Sequence, residues 1–202
     1  MTRFSTHASR FLHSSRLLSA VFVVMALMPV GHAVAQQTTN PTAAALAEFT
    51  KQINDYMAEH KKAEAAVPDV KKGATPAEVM VFEKGLAERI KAARAAAKQG
   101  DVFTPDVVPI LKKIFADYYQ RRSGREIRLL FDEVPNFKPQ VNMTYPVNAP
   151  KANFPPRLAL SMPQLPEELE YRLVGNNLIL RDSEANLIVD FLPSIVPPAP
   201  KR

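Results

Sequence analysis

The stretch LPEELEYRLVGNNLILRDSEANLIVDFLP, residues 165–193, decides the fold, because its apolar residues fall in short blocks separated by turn formers. Tyr171 to Val174, Leu178 to Arg181 and Leu187 to Phe191 are rich in β-branched, aromatic and aliphatic side chains that suit extended backbone. Gly175-Asn176-Asn177 and Asp182 to Asn186 supply the residues that reversals need. The pattern predicts a small antiparallel β-meander or hairpin. Leu169, Tyr171 and Leu173 alternate with Glu170 and Arg172, as in a half-exposed strand, whereas Leu178-Ile179-Leu180 and Leu187-Ile188-Val189 are apolar on both faces. The inner strands therefore need cover on both sides, from helices on one and from the preceding segment or a partner on the other. The open edge of the meander is the expected contact surface.

Immediately upstream, residues 135–166 carry eight prolines in 32 positions, too many for a helix interior or a central strand. Val141, Met143, Tyr145, Phe154, Leu158 and Leu160 give the segment apolar anchors, so it is expected to lie as an ordered, extended strap over the helices.

From Pro41 to about Gln120 the apolar spacing is helical. Leu46, Phe49, Ile53, Tyr56, Met57 and His60 share one stripe. Thr75-Pro76-Ala77-Glu78 joins a capping hydroxyl, a proline at the first helical position and a reciprocal glutamate. Val79, Phe82, Leu86, Ile90, Ala93 and Ala97 then share a face and Gly100 is the expected stop, with Lys84, Lys91, Arg94 and Lys98 alongside as a solvated or anion-facing stripe. Thr104-Pro105-Asp106 signals a third helix, which Pro109 should delay or kink. For Ile127 to Val134, periodicity does not choose between a short helix and a strand.

At the other end of the chain, Arg3, Arg10 and Arg16, the apolar run Leu17 to Val30 and the small residues Ala33-Val34-Ala35 have the arrangement of an export signal cleaved after Ala35. The run falls short of the ~20 residues a membrane span needs. Cleavage would leave 167 residues with 23 basic against 20 acidic side chains, a net charge too small to imply nucleic acid as a partner. No cysteine occurs, so an exported chain of this kind has no disulfides and must rely on its packed core.

Of four histidines, His7, His13 and His32 lie in the leader and His60 alone follows it. That excludes Cys-His dyads and multi-histidine metal sites from the mature chain, and any Ser-His-Asp triad would have to use His60. No G-x-S-x-G, G-x-G-x-x-G, G-x-x-x-x-G-K-[ST] or H-E-x-x-H motif is present, so neither cofactor nor metal is expected. His60 itself reads as a residue at the core edge that donates to a backbone carbonyl or a carboxylate. Asp182 and Asp190 are the remaining candidate acid–base pair. As turn and strand-edge residues they would need only backbone donors or an arginine, with Arg172 and Arg181 nearby. Arg121, Arg122, Arg125 and Arg128 put four guanidinium groups in eight residues. They read either as an anion-binding segment or as ties to carboxylates of the C-terminal part.

The phrases AARAAAKQGDVFTP, residues 92–105, and LPEELEYRLVGNNLILRDSEANLIVDFLP resemble those of an uncharacterised family of small exported bacterial proteins. The resemblance implies an export signal, a helical first half and a Tyr-Pro-rich lead into a final hairpin, and no activity, cofactor or catalytic residue. The sequence thus predicts an α+β fold: a signal peptide over 1–35, a helical region of about three helices over 36–134, a strap over 135–166, a meander over 167–193 and a tail over 194–202. The expected role is that of a noncatalytic binding or structural protein of the bacterial envelope, with an envelope protein or polymer as partner and peripheral contact with a membrane or anionic polymer. The alternatives are a cell-wall polymer hydrolase using Asp182 and Asp190, and a binder of anionic ligands through Arg121 to Arg128.

Overall fold

The computed structural model describes residues 40–70, 73–132, 134–150 and 154–196, without the side chains of 128 and 130–132. The expected export segment and the end of the tail lie outside these residues. Among the described residues, the buried core belongs to the unit Thr38–Arg202. The order is α1 (Pro41–Glu64), α2 (Pro76–Ala93), α3 (Val108–Gln120), α4 (Gly124–Asp132), α5 (Pro156–Ala159), β1 (Leu169–Val174), β2 (Asn177–Asp182) and β3 (Leu187–Leu192), an α+β arrangement. Among the described residues no helix is long and apolar enough to cross a membrane.

The strands form one antiparallel sheet in the order β1-β2-β3. Val174 pairs with Asn177, so Gly175 and Asn176 make a tight reversal with Gly175 at φ +52°, a left-handed conformation that glycine adopts without strain. Asn186, at φ 50°, turns the chain into β3, as its tolerance of that region allows. The β2–β3 register shifts between Leu180, opposite Asp190, and Arg181, opposite Ile188, so Val189 is the extra residue of a bulge.

Both faces of the sheet are covered. On one side Leu178, Leu180, Leu187 and Val189 join the main core with Phe49, Ile53, Leu86, Ile90, Leu111 and Phe115 from α1, α2 and α3. On the other, Val174, Ile179 and Ile188 pack under Phe137, Met143 and Tyr145 of the proline-rich segment. This corrects the expectation of a strap lying over the helices: its first part covers the face of the sheet that the helices leave open. Its second part, with Phe154, Leu158 and Met162, enters the helix-side core, where Phe154 meets Phe115 and Tyr171. There it forms the single turn α5, which begins at Pro156, a position where proline loses no helical hydrogen bond. Of the two edges of the meander, that of β3 is occupied. Thr144 bridges Leu187, the Asn142 N–H donates to the Ile188 carbonyl, and the Ile188 N–H donates to the Met143 carbonyl at 2.9 Å.

Helix boundaries follow local chemistry with two corrections. The α2 capping box forms as expected, the Thr75 hydroxyl accepting from the Glu78 N–H and the Glu78 carboxylate accepting from the Thr75 N–H. But α2 ends at Ala93, short of Gly100: the Arg94 carbonyl accepts from the Ala97 N–H in a tighter turn and from the Asn142 amide at 2.8 Å, and the Lys98 N–H donates to Asp101. Val79, expected in the core, is exposed beside Met80 and Val81. Pro109 delays α3, which starts at Val108 after a turn in which the Thr104 carbonyl accepts from Val107 and Val108. Part of the basic stripe on α2 holds the strap: Lys91 donates to the Thr144 hydroxyl, and Arg94 donates to the Asn142 side chain and to the Val189 carbonyl.

Tyr145 is buried, meets Phe137 edge-to-face at 5.5 Å and donates its hydroxyl to the Pro150 carbonyl. Its replacement by alanine should cost about 3–5 kcal/mol, as large-to-small core changes of aromatic residues do. Urea unfolding reads the cost, and hydrogen exchange should show earlier loss of protection at the Ile188 amide than at amides of the main core.

Candidate functional site

The fold brings together polar groups that are far apart in sequence. His60, on the buried stripe of α1, points its Nδ1 at Asp182 Oδ2 at 2.6 Å, and the Tyr56 hydroxyl, one helical turn earlier, donates to the same oxygen at 2.6 Å. The other carboxylate oxygen of Asp182 accepts the Glu184 and Ala185 N–H groups at 3.0 and 2.8 Å, the local turn that an aspartate at that position favours. His60 Nε2 lies 3.2 Å from a Glu184 carboxylate oxygen. His60 and Asp182 are fully buried, and only Glu184 reaches solvent. Arg94 stacks its guanidinium 4.9 Å from the Tyr56 ring centre, closing the cluster.

With a carboxylate at each ring nitrogen, the doubly protonated imidazolium satisfies both contacts. Burial alone would lower the His60 pKa, but the Asp182 and Glu184 carboxylates outweigh it and hold it above its ordinary 6.5. Burial likewise works to raise Asp182, and is outweighed by donors from His60, Ala185 and Tyr56, so its carboxyl sits below the usual 3.8. Tyr56, desolvated and facing that carboxylate, is pushed well above its usual range and stays a neutral donor.

Asp190 serves a different purpose. Its carboxylate accepts the N–H groups of Gly100, Val102 and Phe103, at 3.0, 2.9 and 2.8 Å, and that of Phe191 at 2.7 Å, fixing the connection between α2 and α3. Burial raises its pKa, and these backbone donors offset only part of the rise. Asp182 and Asp190 thus lie on the same helix-facing side of the sheet, each filled by its own donors. Among the described residues neither has an ion pair with Arg181. Both arginines bind Glu170 on the opposite face, where Arg181 also donates twice to the Asn186 side chain.

The arginine segment disperses. Arg121 ends α3, and Arg125 projects from α4 into solvent; the side chain of Arg128 lies outside the described residues. Among the described residues, Arg121 and Arg125 make no tie to a C-terminal carboxylate. Arg122 folds back on α3, donating to the Tyr118 carbonyl at 2.7 Å with its guanidinium 3.4 Å from the Tyr118 ring centre. Arg121 and Arg122 line a cleft of about 400 Å³ together with Arg157 of α5. The floor of α4 follows from Ser123 and Glu126, a second capping box that makes this stretch a helix. Arg157, a lone cation in a proline-rich stretch, carries no signal of this cleft in the sequence, whereas Ser123-Gly124-Arg125-Glu126 is a legible helix start.

Among the described residues no group of three or more His, Cys, Asp or Glu side chains is arranged to hold a metal ion. In comparisons with known proteins, the chain matches no family model, no curated protein and no solved structure.

The titrations fix a pH dependence. The raised His60 contributes stability that is complete below pH 6.5 and lost as pH rises through its folded-state pKa; the lowered Asp182 contributes stability that is complete above 3.8 and lost as pH falls through its own. Relative to His60→Gln, the native chain should be most favoured in the mildly acidic range and lose that advantage as pH rises through the raised folded-state pKa of His60, as urea unfolding at each pH will show. Separately, Asp190→Asn replaces an acceptor facing backbone donors with a donor and should cost about 2–4 kcal/mol, measured the same way.

Proposed function

We infer that the protein is a noncatalytic binding protein of the bacterial envelope. One observation carries this reading: the groups best suited to catalysis are spent on architecture. His60, Asp182 and Asp190 are buried, and the oxygens of both aspartates are filled by intramolecular donors. General acid–base chemistry requires the acid and base within hydrogen-bond reach of the substrate. A pair of sugar-cleaving carboxylates must flank the scissile bond. By contrast, Arg121, Arg125 and Arg157 are exposed and stand ready for another molecule. The envelope assignment rests on the arrangement of residues 1–35, which has the charge, apolar run and small residues of a cleaved export signal.

The test uses the chain from residue 36. Its sedimentation with isolated bacterial envelopes should increase saturably with concentration, and incubation with purified cell-wall polymer should release no soluble fragments. Fragment release above that of buffer would replace this reading with hydrolysis, and non-saturable or absent sedimentation would remove the binding role.

A further inference from the structure

We propose that the cleft where Arg121, Arg122 and Arg157 converge beside Tyr118 binds a phosphate-bearing anion. The proposal deepens the binding reading above by naming a site and a ligand class.

The cationic groups come from separate elements: Arg121 and Arg122 from the end of α3, and Arg157 from α5. Residues 35 positions apart are brought to one opening because α3 packs against α5. Guanidinium groups repel one another, and a fold that collects them without pairing them leaves a positive potential at that spot. The two carboxylates at the cleft are otherwise engaged. Asp117 is held by Lys113 at 3.0 Å, and Glu126 caps α4 by accepting from the Ser123 N–H and hydroxyl at 2.8 and 2.7 Å. Among the described residues, neither Arg121 nor Arg157 has an ion-pair partner. With Lys113 cancelling Asp117, the cleft keeps an excess of positive charge even after Glu126 is counted.

Arg122 is already oriented. Stacked on Tyr118 and anchored to its carbonyl, it loses little rotamer freedom on binding and retains N–H groups beyond the one in use. Guanidinium forks match the oxygens of phosphate, and a phosphoryl group offers enough peripheral oxygens for several forks at once, where a single carboxylate offers two. The cleft, about 400 Å³, exceeds a phosphate ion, so it has room for the group to which the phosphate is attached.

The experiment titrates the chain from residue 36 with inorganic pyrophosphate by calorimetry and, in a second arm, measures flotation with vesicles of phosphatidylglycerol or of phosphatidylcholine. Arg121 and Arg157 are exposed, so the double variant Arg121→Ala, Arg157→Ala should keep the native circular dichroism spectrum. Loss of two charge-assisted contacts should weaken binding about tenfold or more. Pyrophosphate binding weakened in the double variant assigns a soluble phosphate ligand. Selective flotation with phosphatidylglycerol, lost in the double variant, assigns a phosphate headgroup. Absence of binding in both arms, or equal binding by the double variant, overturns the proposal. Envelope sedimentation that persists unchanged in the double variant would overturn the cleft while leaving the broader binding role standing.

Discussion

Two carboxylates buried on one face of a three-stranded sheet dictate how the rest of the chain is arranged. A charge taken out of water without partners costs several kcal/mol, so each aspartate needs donors delivered to it. Asp182 obtains them from α1, as Tyr56 and His60 one turn apart, and from its own turn. Asp190 obtains them from the backbone between α2 and α3. The angle at which α1 crosses the sheet and the shape of the α2–α3 connection are therefore set by charge satisfaction as much as by the apolar packing of Phe49, Ile53 and Leu86 around them. Apolar packing is non-directional; a hydrogen-bonded carboxylate admits few positions for its donors.

The opposite face solves the same problem in another way. Glu170 and Arg181 sit directly across from each other on β1 and β2, Arg172 reaches Glu170 from the same strand, and Asn186 fills two donors of Arg181. Tyr145 lies over this group, with the Arg181 guanidinium 5.3 Å from its ring centre, so the strap covers an ion-paired patch together with Val174, Ile179 and Ile188. Arg94 and Asn142 link the strap to the end of α2 by reciprocal hydrogen bonds.

Legibility from sequence followed the range of the interaction. The three strands, the Gly175 reversal, the Asn186 turn and the Thr75 capping box are specified within a few residues, and each was readable. The need for cover on both faces was also readable, from the apolar runs of β2 and β3. What escaped was decided from far away. The turn after α2 is held by Asn142, 48 residues downstream, and the partner of His60 lies 122 residues downstream. Periodicity put His60 on the right stripe without naming Asp182. The arginine segment was visible as a run, but the cleft needs Arg157, which enters only through packing of α5 on α3. Ser123 and Glu126 are the exception: their signal was local, and they turn Gly124–Asp132 into a helix where periodicity was neutral.

The long-range bonds of Asp182 and Asp190 span 87 to 126 residues and join the first helix and the α2–α3 connection to β2 and β3. Closing such long loops must precede the gain from the contacts they make. Before Asp182 is joined to the chain, Tyr56 and His60 lack their native acceptor, and before Asp190 is, so do the amides of Gly100, Val102 and Phe103. The helical half therefore has these polar side chains and loop amides satisfied by residues of β2 and β3, so a fragment ending before these strands lacks acceptors for the donors that it presents.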